Sequence, residues 1–307
     1  MPTYLEAMNQ LLVEEAGRHP GLLQFGENID KGSRLCGIAK NLAGCVVNVG
    51  NCENTHVGAG LGMMLNGGRS VLFVKQLDFL PLAADQMLNT VSLLRAAQGE
   101  ELTGPGSFTI VTIVCDQGWQ GPQSSLVDLP GLCSLVRWDG YTLTSLEQAR
   151  RVIGRHLVRP GVRILALSQR QFGEPVRELP VLQAWNDEAL VQHATGEEST
   201  VVCVGFSLEQ GCELLGRLGE RGKRISLFMA QPAMPHDWSP VAASATRTGR
   251  LVVFDDSKGA VSMAHKIAST VLRAAPGCRA TVVTREHDLR YAVHDGRFQM
   301  PAELATC

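Results

Sequence analysis

Apolar runs rich in Val, Ile and Leu recur along this chain, separated by amphipathic stretches of roughly 10–15 residues. The runs include CVVNVG (45–50), SVLFVKQ (70–76), SFTIVTIVC (107–115), VRILALS (162–168), TVVCVGFS (200–207), RISLFMA (224–230), LVVFDDS (251–257) and ATVVTRE (280–286). SFTIVTIVC carries β-branched residues and no charge, the signature of a strand covered on both faces. The intervening stretches have the 3.6-residue period of helices. In residues 4–17 the period is set by Leu5, Met8, Leu11, Leu12 and Glu15. Strands alternating with helices predict parallel sheets with helices packed on their faces. The expected fold class is therefore α/β, with two parallel-sheet domains. Residues 172–185 hold two prolines and no clean period, and read as a linker between them.

The length of 307 residues accommodates two domains, and a 45% hydrophobic composition supplies the cores. A net charge of −2 with no Lys/Arg run argues against nucleic-acid binding. No apolar run approaches the roughly 18–20 residues that cross a bilayer. The first residues form an acidic amphipathic pattern unlike a signal peptide, so a reducing cytoplasm is the expected compartment. Nine cysteines, none in a C-x-x-C pair, read as reduced structural thiols, Cys115 and Cys203 as small hydrophobes within strands.

In open parallel sheets, sites form beyond the C-terminal strand ends. Three segments qualify: 49–64, 74–86 and 115–125. The first holds Gly58, Gly60 and Gly62, but Met63 stands where a dinucleotide fingerprint needs its third glycine. The glycines are read as permitting close packing of a helix on the sheet. Glu53 has two readings on its residues alone. It is a first-turn carboxylate complementing a helix dipole, or a partly buried acid poised for proton chemistry.

The pieces GENID (26–30), CENTHVGAGLGMMLNGGRSVLF (52–73), DFLPLAADQMLN (78–89) and GPQSSLVDLPGL (121–132), in this order and spacing, resemble thiamine diphosphate enzymes. The family resembled is the β subunits of 2-oxo acid dehydrogenase first components and the C-terminal, pyrimidine-binding halves of transketolases. TGRLVVFDDS (248–257) resembles the transketolase-type C-terminal domain, where the Asp255–Asp256 pair is structural, and QPAMPHDW (231–238) its approach loop.

The resemblance implies a pyrimidine-binding domain over residues 1–180 and a transketolase C-terminal-like domain over 190–307. It makes Glu53 the catalytic acid that binds the pyrimidine ring nitrogen and promotes deprotonation of the thiazolium carbon. It places Asn51 and Gln76 with Glu53 at the cofactor, and His56 and Gln123 toward the substrate, Gln123 in a catalytic position. Two departures stand out. Gln76 takes the place of an aromatic that stacks on the pyrimidine, and Gln123 that of a loop histidine. A glutamine stacks less well than an aromatic, and it cannot trade protons as a histidine does.

The family binds Mg²⁺ and the cofactor's diphosphate through a G-D-G motif, absent here; the nearest sequences are WDG (138–140) and HDG (294–296). Thiamine diphosphate and Mg²⁺ would therefore be held mainly by a partner, an α-type subunit in an α2β2 heterotetramer. The implied activity is ketol or acyl transfer from a ketose or 2-oxo acid. The alternatives are 2-oxo acid decarboxylation feeding a lipoyl domain or another acyl carrier, and a non-catalytic stabilising subunit. His287 and His294 read as surface residues.

Overall fold

The computed structural model describes residues 1–99, 105–117, 121, 127–232, 237–259 and 261–285. They form two compact units, the first from residues within 1–117 and 135–178, the second from residues within 127–134 and 179–285. No helix among the described residues is long and apolar enough to cross a membrane.

The first unit opens with α1 (Tyr4–Gly17), whose start is fixed by a capping box. Thr3 Oγ1 accepts from Glu6 N at 3.3 Å, and Glu6 Oε2 accepts from Thr3 N at 2.9 Å. Its sheet contains β1 (Leu23–Gly26), β2 (Cys45–Asn48), β3 (Arg69–Val74), β4 (Ser107–Val114), β5 (Asp139–Thr142) and β6 (Gly161–Ser168). All pairings are parallel, in the order β2-β1-β3-β4-β6-β5. The helices are α2 (Glu53–Leu65), α3 (Val91–Gln98) and α5 (Leu146–His156), while α4 (Leu129–Val136) has its first six residues in the second unit.

Every residue of β4 is buried, as its uncharged sequence predicts. β6 carries one charged residue, Arg163, only 3% exposed. Its guanidinium donates to Thr109 Oγ1 (3.1 Å), His156 O (2.9 Å) and Pro160 O (2.7 Å). Burial pulls it down to about 10.

The stretch 80–98, which reads as one helix, is three segments. A 3₁₀ segment (Leu77–Ala83) contains Pro81, a π turn (Asp85–Thr90) follows, and α3 completes the run. Asp139 and Gly140 of the WDG sequence lie in β5, paired with Arg163 and Ile164 of β6.

The second unit contains β7 (Gln183–Trp185), β8 (Leu190–Ala194), β9 (Ser199–Val204), α6 (Leu208–Leu218), β10 (Ile225–Ala230), α7 (Ser239–Thr248), β11 (Arg250–Asp255), α8 (Met263–Ala274) and β12 (Arg279–Thr284). Its sheet order is β12-β11-β9-β10-β8-β7. Four strands are parallel, while β7 and β8 form an antiparallel hairpin at one edge. The linker reading of 172–185 is thus corrected at its end, where Gln183–Trp185 is a strand. The hairpin turns through Asn186, Asp187 and Glu188, all left-handed at φ 51°, 55° and 69°.

Asp255 and Asp256 are structural. Asp255 Oδ2 accepts from Ser262 Oγ (2.7 Å) and Ala264 N (3.4 Å), tying the end of β11 to the start of α8. The Asp256 carbonyl accepts from Arg285 Nε at 2.5 Å.

Candidate functional site

The C-terminal edge of the first sheet gathers the residues singled out above. The chain runs from β1 outward to β2, then returns across β1 through α2 to β3. The strand order therefore reverses at β1/β3, the kind of position where open α/β sheets bind ligands. β1 ends at Gly26, where a Cβ would lie 2.4 Å from the Phe73 carbonyl, so no side chain fits. Beyond it, Asn28 takes a left-handed conformation at φ 56°. Asn48, the last residue of β2, uses its side-chain oxygen to accept from Ile29 N at 3.0 Å. That bond joins the loop after β1 to β2.

Glu53 is the first residue of α2 and is half-buried. Its carboxylate lies at the positive end of the helix dipole. Asn51 is exposed beside it. With its amide nitrogen toward the acid, Asn51 donates to Glu53 Oε1 at 3.0 Å and Oε2 at 3.2 Å. Between them, exposed Cys52 meets Thr55 Oγ1 at 3.0 Å. Hydrogen bonds from the Thr55 hydroxyl and backbone hold the Cys52 thiol below its ordinary value. The next residue, Asn54, keeps a buried Oδ1 with no hydrogen-bond partner.

His56 follows one turn later, half-buried, its ring edge-on to Phe25 of β1 at 6.4 Å and 89°. It is packed against the sheet by that contact. Small residues bring α2 close to the sheet, as its glycines suggest: a Cβ at Gly60 would meet the Phe108 ring. Gly58 faces the side chain of Gln86, in the π turn.

Gln76 is extended (φ −141°, ψ 143°), between the end of β3 and the 3₁₀ segment. The thiol of Cys115, the residue after β4, is fully buried. Burial first, then the Asp78 and Asp116 charges, push that thiol up to about 12. Cys115 is a buried free thiol, as its sequence context suggests.

Its neighbour Asp116 is also buried and accepts from Ser168 Oγ (2.6 Å) and Arg170 N (3.0 Å). Ser168 N in turn donates to Tyr4 Oη at 3.2 Å, and Tyr4 Oη donates to the Leu143 carbonyl at 2.6 Å. The ends of β4 and β6 are thereby tied to the first helix.

The structure therefore brings Asn51 onto Glu53, packs His56 against β1, and sets Gln76 between the end of β3 and the 3₁₀ segment. Gln123, His287 and His294 lie outside the described residues. Among the described residues, no three His, Cys, Asp or Glu side chains converge as a metal site.

Thiamine diphosphate carries an aminopyrimidine that needs a carboxylic acid at a ring nitrogen. The donor set at this edge fits that half of the cofactor. Glu53 supplies a half-buried carboxylate oriented by an amide, and Gln76 supplies an amide on the neighbouring side of β1.

Comparison with known proteins agrees with the resemblance. The chain is 21% identical over 285 residues to the pyruvate dehydrogenase E1 component subunit beta of Rhizobium meliloti, covering 89% of this chain and 60% of that protein. It is 22% identical over 295 residues to the acetoin:2,6-dichlorophenolindophenol oxidoreductase subunit beta of Cupriavidus necator, covering 88% and 84%. Its fold matches a solved structure described as a split gene transketolase, inactive beta4 tetramer, with a TM-score of 0.66 and 15% identity over 92% of this chain and 88% of that one. No family model matches. The chain is related to β-type subunits of thiamine diphosphate-dependent enzymes and has their two-domain α/β fold.

Proposed function

We propose that this chain is the pyrimidine-binding subunit of a two-chain thiamine diphosphate-dependent enzyme. It would transfer a ketol or acyl unit, in the manner of transketolases or acyloin-forming and acyloin-cleaving enzymes. The observation that carries the proposal is the Asn51–Glu53 pair at the head of α2, at the switch point of a parallel sheet. The relation to an acetoin-acting β subunit and the shared fold with a split transketolase support this chemistry.

When bound, thiamine diphosphate supplies an acidic carbon that attacks carbonyls and takes up the electron pair released when a carbon–carbon bond breaks. Glu53 would hold a proton at its carboxyl oxygen and share it with a pyrimidine ring nitrogen. Asn51 would fix the carboxyl plane, and the helix terminus would favour the ionised form once the proton leaves. Gln76 would contact the pyrimidine through its amide. Gln123 would donate to an oxygen of the substrate, without exchanging protons with it.

Mg²⁺ and the diphosphate would be held by an α-type partner in an α2β2 assembly. The neighbour described as an inactive tetramer of β chains supports the requirement for a second chain.

The test is Glu53→Gln in the chain reconstituted with its partner. Turnover should fall roughly 10²-fold or more with the fold intact. Unchanged proton exchange at the thiazolium carbon would reject the assignment.

The relation to a pyruvate dehydrogenase β subunit favours a second reading, 2-oxo acid decarboxylation with transfer to a lipoyl domain. Gln123→His separates the two. Increased transfer to a lipoyl acceptor would identify the glutamine as a change of acceptor within dehydrogenase chemistry.

A further inference from the structure

The second sheet starts its four parallel strands in one row. Ser199 opens β9, Ile225 opens β10, Arg250 opens β11 and Arg279 opens β12. Ile225 pairs with Ser199, and Arg250 with Arg279. Alternation along the strands sends all four side chains to one face. On that face Val201, Leu227, Val252 and Val283 pack with Leu208 and Leu214 of α6. A small cleft opens between the row and the end of α6. Its lining is apolar at Leu214, Leu218, Ile225 and Val252, and charged at Glu198, Arg221 and Arg250.

The charges around this cleft do not balance. Glu198 serves both Arg224, at 2.9 Å, and Arg221, at 3.5 Å. Arg250 is half-buried, and neither its guanidinium nor that of exposed Arg279 has a partner among the described residues. Like charges side by side on neighbouring strands repel, and a half-buried guanidinium is only partly hydrated. The four arginines outnumber the carboxylates beside them even when exposed Glu197 is counted with Glu198. An anion seated between Arg250 and Arg279 removes the repulsion.

We propose that this cleft binds a small organic carboxylate, its head group against Arg250 and Arg279 and its alkyl end on the apolar lining. A planar carboxylate matches the guanidinium fork. Glu198 at the rim repels a doubly charged phosphate more than a singly charged carboxylate. The cleft encloses about 30 Å³, room for a short alkyl end and not for a sugar or a nucleotide. All of these residues belong to the second unit, and the proposal stands apart from the function proposed above.

The experiment titrates isobutyrate into the full chain at constant ionic strength, followed by saturation-transfer NMR. Binding should saturate with a Kd of roughly 1–10 mM. Isobutyramide, of the same shape without the charge, should bind about 10-fold more weakly or worse. Arg250→Gln and Arg279→Gln should each weaken isobutyrate about 5-fold or more. Arg273→Gln removes the same charge from α8, which packs on the opposite face of the sheet, and should change the affinity less than about 2-fold. Arg250→Lys keeps the charge and loses the fork, so its affinity should fall between those of the wild type and Arg250→Gln.

Failure to saturate, equal binding of the amide, or undiminished affinity in Arg250→Gln would each overturn the proposal. Should Arg250→Gln not fold, Arg250→Lys and Arg279→Gln carry the test, and wild-type affinity in both overturns it. Inorganic phosphate is the competing probe. If it displaces isobutyrate and binds more tightly, the cleft is a phosphate site and the carboxylate assignment falls.

Discussion

Gly60 of α2 faces Phe108 of β4 so closely that a Cβ on the glycine would lie 2.2 Å from the ring. Phe108 has no room to retreat. It is fully buried and meets Trp138 edge-on at 6.2 Å. Gly60→Ala should therefore push α2 off the sheet and destabilise the chain by about 1–3 kcal/mol. A lowered urea midpoint would register the change. Gly62→Ala, on the same helix with nothing within 4 Å of the added carbon, is the matched control and should stabilise slightly or be neutral.

Asn51 donates to both carboxylate oxygens of Glu53. Asn51→Asp removes the donor and sets a second negative charge in its place. Turnover of the reconstituted enzyme at saturating cofactor should fall roughly 10-fold or more. Asn51→Ala, which loses the donor without adding charge, should cost less.

The Cys115 thiol is pushed up to about 12 in the folded chain, against an ordinary value near 9. Between these values the unfolded chain has lost this proton and the folded chain has kept it. Stability from this group is therefore complete below pH 9 and is lost as pH rises toward 12. At pH 10 the loss is on the order of 1 kcal/mol. Cys115→Ser should flatten the decline in urea midpoint between pH 8 and 10.5. Part of the decline should remain, because burial also raises Cys203 and Cys278.

Asp255 is 1% exposed, with Oδ1 accepting from Ser257 N at 3.0 Å and Oδ2 from Ser262 Oγ at 2.7 Å. Asp255→Ala leaves these buried donors without their acceptor and should cost about 1–3 kcal/mol. Amide hydrogen exchange should quicken first at the start of α8. Activity of the surviving folded enzyme should be little changed, since the bonds lie in the second unit's own framework.

Much of this was legible in the sequence, and the physical reasons differ from element to element. β4 and β6 announce themselves because a strand covered on both faces must be apolar along its length. Helix α1 is legible at both ends of Tyr4–Gly17, where periodicity and the Thr3–Glu6 box agree. β5 is not: DGYT is four residues with a glycine, and its pairing with β6 supplies the order that propensity lacks. The β7–β8 hairpin was hidden for another reason. Its turn uses three left-handed residues, Asn186, Asp187 and Glu188, and no glycine marks the place. At the candidate site, the place of Glu53 at the start of α2 was legible from the apolar run before it and the small-residue helical stretch after it. That the segments after β3 and β4 emerge side by side was not, because it depends on how the two strands align, which no local pattern encodes.

The π turn at Asp85–Thr90 carries its own consequence for descent. A π turn holds one residue more than an α turn. Each helical residue advances the face by about 100°, so this extra residue rotates what precedes it against α3 by roughly that angle. The rotation lets Gln86 lie against Gly58, with Thr90 Oγ1 donating to its Oε1 at 3.0 Å, while Val91 stays buried. Such a bulge can absorb one residue without unseating either flank. A gapless alignment through these six positions would assign every upstream side chain to the wrong face. A lineage that lost the residue would inherit a turned segment, not a shortened one.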